Sequence, residues 1–180
     1  MVVRRPQGYT VSLIATPAAN QHLTCEPGIR LGSRYRLEDR IGGGSGWAAC
    51  KAIDETLARA VTVLTFARGF PRIADVVLAA RAVGRLTDAR LAQVFDVEED
   101  LDHAYLVMEW AGGDSLDDLL ADGPLEPEQA GEIIAQSTEA LAAAHAAEVA
   151  HLCLTPGCVR WTPGGGVKIT GWAWMPPWPE

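Results

Sequence analysis

The stretch His151-Leu152-Cys153-Leu154-Thr155-Pro156-Gly157-Cys158-Val159 decides how this chain is interpreted. It follows a segment with helical spacing and precedes a glycine-rich turn, which is typical of a loop. The stretch contains one histidine and two cysteines but no Asp, Glu, Lys or Arg. Cys153 and Cys158 could ligate a metal beside His151, but their spacing matches no C-x-x-C zinc or redox pattern. We favour small, weakly polar side chains that fill a loop, and we predict no metal site.

The composition limits the classes of function. With 180 residues and 48% hydrophobic content, the chain can form one core, as a single domain with two lobes. A net charge of -8 argues against a nucleic-acid partner, which would require basic patches. No run approaches the roughly 18 apolar residues of a membrane span. The cysteines show no pairing framework, which suits a reducing cytoplasm, and we predict a cytoplasmic protein; they are Cys25, Cys50, Cys153 and Cys158.

The first half of the chain predicts a small sheet. Residues 1–32 contain three prolines and no sustained periodicity, and we predict a flexible leader there. Alternation over Tyr35–Ile41 predicts a strand that ends in a glycine turn at Gly42, Gly43 and Gly44. Four more runs rich in branched or aromatic residues predict strands at 47–53, 57–64, 91–95 and 105–109. Helical spacing from Ile73 to Leu86 predicts one helix, so we expect a five-stranded antiparallel sheet that carries it.

The pattern becomes helical after residue 110. A short helix is predicted at Leu116–Leu120, and Pro127 suits the first turn of a longer one. Ile133, Ile134 and Leu141 lie on the predicted inner face of that longer helix. We therefore predict an α+β protein with an N-lobe at 33–110, a truncated and mostly helical C-lobe at 111–173, and a Trp/Pro tail at 174–180.

From Tyr35 to about Ala173 the chain resembles a bacterial Hanks-type Ser/Thr protein kinase. Six landmarks occur in the order and spacing of that family, which implies a protein-kinase-like fold but proves no activity. They are Ile41-Gly42-x-Gly44, Leu57 to Leu64, Tyr105 to Trp110, Pro124 to His145, His151-x-x-Leu154-x-Pro156, and Val167 to Thr170.

The same resemblance implies that the residues of phosphoryl transfer are missing. Kinases position and neutralise the phosphates with a lysine paired to an acid, a catalytic base and magnesium ligands. The corresponding positions, in chain order, hold Leu64, Ala79, Cys153, Thr155, Cys158 and Gly171. We therefore predict a pseudokinase, which is no enzyme and takes no cofactor.

Nucleotide binding is also predicted to be lost. The glycines at 42–44 could still approach a phosphate closely, as a vestigial nucleotide loop. However, Trp47 stands at the third glycine position, and Arg160 stands where the family offers an aliphatic floor to adenine. We predict that ATP does not bind, and we favour a hairpin turn as the reason for the glycines.

Two family positions are predicted to be architectural. The resemblance implies that His151 and Trp172 stack with Val83 in a packed column that joins the lobes. His151 is therefore expected to be structural rather than catalytic.

The resemblance stops just past Trp172, whereas a complete kinase fold has roughly 250 residues. The inner side chains of the 128–146 helix would then be uncovered, and exposed apolar faces usually meet something. We expect the tail, another protein or a second copy of the chain to cover them. The interface candidates are Ile133, Ile134, Leu141, Trp172, Trp174 and Trp178.

These patterns predict a non-catalytic protein-interaction or regulatory module. Glu109-Trp110-x-Gly-Gly-x-Ser-Leu116 and the degraded loop resemble the pseudokinase domain of the actinobacterial lipid II flippase. That resemblance implies a role in cell-wall regulation, with recruitment to the membrane by a partner. Two alternatives stay open, namely a nucleotide-binding kinase-family protein with residual activity, and a subunit completed by another chain.

Overall fold

The computed structural model describes residues 25–71, 73–99 and 104–172. Within them the strands are β1 (Arg30–Leu31), β2 (Tyr35–Gly44), β3 (Trp47–Asp54), β4 (Arg59–Phe66), β5 (Val94–Glu99), β6 (Ala104–Glu109), β7 (Asp114–Ser115), β8 (Val159–Trp161) and β9 (Val167–Ile169). The helices are α1 (Ile73–Val83), α2 (Leu116–Ala121) and α3 (Pro127–Ala146), with a 3₁₀ turn at Pro156–Cys158.

The first half forms an antiparallel sheet with the strand order β1-β2-β3-β4-β6-β5, and α1 lies between β4 and β5 in sequence. The predicted kinase-like α+β fold is confirmed. The sheet has six strands rather than the predicted five, because β1 adds to it, and the strand predicted at 91–95 lies at Val94–Glu99. The strands form because branched and small apolar residues fill them and tight turns join them. At the first turn, Gly44 pairs with Trp47 across the β2–β3 hairpin.

Both faces of this sheet are buried. The inner face contributes Ala49, Leu64 and Met108 to a core that also contains Val76 and Ala80 of α1. The outer face has its own apolar cluster, made by Tyr35, Leu37, Cys50, Ala52, Val61, Val63, Tyr105 and Val107. Residues on adjacent positions of β4 therefore serve opposite cores, as the two-residue period of a strand requires.

The structure corrects the boundary of the predicted leader. Strand β1 lies at Arg30–Leu31, inside the segment that we expected to be flexible. Gly28 N–H donates to the carbonyl of Leu37, and Leu37 N–H donates to the carbonyl of Ile29, both at 2.8 Å. A two-residue strand is too short to show alternation in the sequence, so its pairing depends on these contacts with β2. Residues 1–24 lie outside the described residues.

The cysteine prediction is also corrected. Cys25 and Cys50 form a disulfide with a Cα–Cα distance of 6.0 Å, although we predicted no pairing framework. Cys153 and Cys158 are free thiols. The sequence could not show the pair, because the backbone reversal between β1 and β2 brings Cys25 over the middle of β3.

The second half contains α2, α3 and a small sheet of order β7-β8-β9. A capping box starts α2, in which the hydroxyl of Ser115 accepts from Asp118 N–H at 3.1 Å and Asp118 accepts from Ser115 N–H at 3.0 Å. Pro127 occupies the first turn of α3, as predicted. Strands β7 and β8 were not predicted.

Direct contacts join the two halves. Leu91 forms a parallel bridge with Ile169, and Ala92 N–H donates to the carbonyl of Ile169 at 2.8 Å. Lys168 Nζ lies 2.8 Å from a carboxylate oxygen of Glu109. These contacts fix strand β9 under the end of β6, which positions the cleft described next.

Among the described residues, no helix combines the length and the apolar character that crossing a membrane would require.

Candidate functional site

A cleft of about 420 Å³ lies between the inner face of the larger sheet and the second half of the chain. Its walls are mostly apolar. It is lined by Ile41, Gly42, Trp47, Ala49, Thr62, Leu64, Ala92, Met108, Glu109, Trp110, Ala111, Thr155, Gly157, Cys158, Arg160, Thr170 and Gly171.

Strand β4 presents Thr62 and Leu64 to the cleft, because alternate residues of a strand share a face. Leu64 pairs with Ala49 of β3 and is fully buried. The position predicted to have lost its lysine thus contributes an aliphatic side chain to the wall. An aliphatic group cannot donate a hydrogen bond to a phosphate.

The glycine turn has a packing reason of its own. Gly43 has a φ of +156°, and a Cβ there would lie 3.0 Å from the carbonyl oxygen of Trp47. A Cβ on Gly44 would lie 2.6 Å from Nε1 of Trp47. Of the three glycines, Gly42 lines the cleft. The close approach of the Trp47 indole therefore favours glycine at position 44, which supports the hairpin interpretation.

The loop after α3 is closed by its own hydrogen bonds. The hydroxyl of Thr155 and the thiol of Cys158 lie 3.3 Å apart, and the thiol donates to the carbonyl of Cys153 at 3.7 Å. Thr155 and Cys158 line the cleft, whereas Cys153 does not. The polar atoms of these two lining residues thus contact each other within the loop.

The segment after β9 brings Gly171 to the cleft with a φ of +81°, a conformation that favours glycine. The preceding Thr170 binds the same loop, because its N–H and its hydroxyl both contact the carbonyl of Cys158, at 2.8 and 3.2 Å. Four of the degenerate positions, Leu64, Thr155, Cys158 and Gly171, therefore meet at one cleft. Ala79 is half-buried on α1 and is not among the lining residues.

His151 and Trp172 pack against each other with ring centroids 4.5 Å apart. Trp172 is fully buried and belongs to the same core as Val83. His151 Nε2 lies 2.7 Å from the carbonyl oxygen of Thr170, so Nε2 carries the donated proton. Burial lowers the pKa of His151, which favours a neutral imidazole. The ring acts as a packing element.

Two charged side chains line the cleft, and internal contacts engage both. Arg160 Nη2 donates to the carbonyl of Gly113. Glu109 pairs with Lys168 and accepts from the N–H of Gln93 at 3.2 Å. The sequence pattern identified Arg160 but not the Glu109–Lys168 pair, because 59 positions separate these residues in the numbering of the chain.

The interface candidates are partly corrected. Ile133 and Trp172 are buried core residues, since β9 and the loop before it cover the inner face of α3. Leu141 is half-buried against the same core. Ile134 is 66% exposed. Trp174 and Trp178 lie outside the described residues.

No cluster of three or more His, Cys, Asp or Glu side chains in the described part of the chain could hold a metal ion.

Comparison with known proteins relates this architecture to protein kinases, although no family model matches the chain. It is 34% identical over 153 residues to the serine/threonine-protein kinase PknA of Mycobacterium tuberculosis H37Rv, covering 79% of this chain and 36% of that protein. It is 29% identical over 148 residues to the probable serine/threonine-protein kinase CA_C1728 of Clostridium acetobutylicum, covering 79% of this chain and 22% of that protein.

Among solved structures, PpkA-294 in its apo form matches with a TM-score of 0.68 at 15% identity, over 81% of this chain and 60% of that one. The chain spans 36% of the length of the mycobacterial PknA and 22% of the length of the clostridial relative. It is homologous to bacterial Ser/Thr protein kinases and has a protein-kinase-like fold.

Proposed function

We propose that this chain is a pseudokinase, a kinase-like module that transfers no phosphate and acts by binding another protein. One observation carries the proposal. Leu64, Cys158 and Gly171 line the cleft at the positions where the resemblance would place the phosphate-binding lysine and both magnesium ligands.

Electrostatics make these substitutions decisive. Phosphoryl transfer depends on positioning and on neutralising several negative charges, since the protein does little covalent chemistry. A triphosphate in this cleft would meet aliphatic, thiol and glycine groups at those three positions. The remaining cation of the wall, Arg160, already donates to Gly113. The carboxylate of Glu109, which could attract magnesium, is paired with Lys168.

A binding role is supported by exposed apolar residues near the degenerate loop. Leu152 is 91% exposed with a φ of +61°, and Leu154 is 44% exposed. Leu120, 48% exposed, lies on α2, which contacts the 3₁₀ turn of the same loop. Large exposed apolar side chains in one region are typical of interaction surfaces. The partner would be another protein or a second copy of the chain.

The cellular setting follows the resemblance to the flippase pseudokinase domain. We propose a cytoplasmic module in cell-wall regulation that a partner recruits to the membrane. The relatives named as kinases favour the competing function, a nucleotide-binding kinase-family protein with residual activity.

A phosphoryl-transfer assay separates the two functions. The purified chain would be incubated with radiolabelled ATP and magnesium or manganese, with a generic protein acceptor and with itself as the acceptor. We expect no incorporation above that of a heat-denatured sample. Incorporation that disappears in Leu64→Ala or Cys153→Ala would contradict the proposal and establish the kinase.

A further inference from the structure

The outer face of the larger sheet is covered by the chain itself. Residues 25–31, here called the strap, pack Cys25, Ile29 and Leu31 against the outer apolar cluster. Leu37, Val61, Val63 and Val107 of that cluster are fully buried beneath it. Without the strap, four aliphatic side chains would become accessible to water on a flat sheet surface, which is unfavourable.

Few polar contacts hold the strap. Two backbone hydrogen bonds of 2.8 Å join Gly28 and Ile29 to Leu37, and β1 adds only a two-residue pairing. Arg30 contacts Glu55 at 2.9 Å, but its side chain is 59% exposed. An exposed ion pair contributes little. The strap is therefore held mainly by the packing of Cys25, Ile29 and Leu31 against the outer apolar cluster, with little help from polar contacts.

The disulfide supplies the missing attachment. Cys50 is fully buried in the middle of β3, where it pairs with Val63, and Cys25 is half-buried at the start of the strap. Their Cα–Cα distance of 6.0 Å lies within the usual range for a disulfide. The disulfide connects the strap to the centre of the sheet and closes a loop of 25 positions.

We propose that the Cys25–Cys50 disulfide is a redox switch that fastens the strap over the outer sheet face when oxidised and releases it when a dithiol reduces it. The inference is independent of the cleft and of the function proposed for it.

The exchange chemistry has a defined direction. A dithiol reductant attacks as a thiolate at the sulfur of Cys25, which is the more accessible of the two, and forms a mixed disulfide. Cys50 leaves as a thiolate and takes a proton from solvent. The second thiol of the reductant then displaces Cys25, so the reductant is oxidised to a cyclic disulfide and the chain gains two thiols. A low-molecular-weight disulfide such as oxidised glutathione reverses the sequence.

Reduction would leave the strap with weak contacts. The thiol of Cys25 can then donate to the carbonyl of Ala49, a contact of 3.7 Å in the structure. Such a thiol hydrogen bond is weak. We expect the strap to detach more often than in the oxidised chain and to expose the aliphatic face, while the inner core stays intact because its side chains pack on the opposite face of the sheet.

Hydrogen–deuterium exchange of the full chain tests the switch. The chain would be prepared in oxidised glutathione and in dithiothreitol, and exchange would be followed by mass spectrometry. We expect the amides of residues 28–37 to exchange about tenfold faster or more in the reduced sample, with α3 unchanged. Alkylation under denaturing conditions should show two additional thiols, at Cys25 and Cys50.

Matched variants exclude other causes. Cys153→Ser/Cys158→Ser should keep the redox response, because both thiols lie outside the strap. Cys25→Ser should exchange like the reduced chain in either condition. Equal exchange of residues 28–37 in both redox states, failure to form the disulfide in oxidised glutathione, or a response that persists in Cys25→Ser would overturn the proposal.

Discussion

Replacing Leu64 with lysine tests whether the cleft can still accept the cation of a kinase. Leu64 is fully buried, and the carboxylate that lines the cleft, Glu109, is already paired with Lys168. Leu64→Lys would therefore bury an ammonium group without an available acid. An uncompensated buried charge costs about 3–5 kcal/mol. For a chain of this length that corresponds to a melting temperature lower by roughly 6–20 °C.

Thermal unfolding followed by circular dichroism would measure this loss. Leu64→Met is the matched control, since a swap of similar volume should cost less than about 1.5 kcal/mol. Burial without a partner lowers the pKa of an introduced lysine below about 10.4. The penalty is then largest at pH values below the lowered folded pKa, and it should shrink as the pH rises towards the unfolded pKa. The reasoning is refuted if Leu64→Lys has the same melting temperature as the wild type and gains saturable binding of magnesium–ATP.

Two further predictions concern stability. Trp172→Ala should lower the free energy of unfolding by about 3–5 kcal/mol, because it removes a fully buried indole. Trp110→Ala, at a half-buried position, should lower it clearly less. Equal urea midpoints of the two variants would contradict the packed column. The hydrogen bond from Arg34 lowers the pKa of the buried Asp54. Its stabilisation is therefore present above the ordinary Asp pKa and lost as the pH falls through the lower folded value. In Asp54→Asn, the free energy of unfolding should fall less between about pH 4 and pH 2 than in the wild type. Asp39→Asn, on the surface, should follow the wild-type profile. Identical acid profiles for Asp54→Asn and the wild type would exclude this role of Asp54.

The regular elements could be predicted because their periods appear in the sequence itself. Polar and apolar residues alternate over Tyr35–Ile41, and β2 begins at Tyr35. The spacing of Val76, Ala80 and Val83 marks one face of α1, and these side chains are buried in the structure. Local pattern and long-range packing agree at these positions, which is the condition for a sequence to predict a fold.

Features that depend on distant partners could not be predicted. Cys25 and Cys50 are 25 positions apart and meet only because the segment before β1 packs against the outer face of the sheet. The sequence predicts Ile133 and Trp172 as interface residues, because it shows no cover for α3. The cover comes from β9 and the loop before it, and Val167 and Ile169 of β9 belong to the same core.

The site was predicted at the level of residue types but not of contacts. The substitutions at Leu64, Cys158 and Gly171 could be identified by position, and the structure places all three at the cleft. The contact of Arg160 with Gly113 and the pair between Glu109 and Lys168 depend on side-chain conformations that no spacing pattern encodes.

Calorimetric titration of magnesium–ATP into the full oxidised chain tests the central claim most directly, because binding must precede any transfer. A neutral cleft predicts no saturable heat with ligand concentrations up to about 1 mM. Saturable, magnesium-dependent binding in the micromolar range would show that the cleft neutralises a triphosphate without the missing residues, and it would contradict the account.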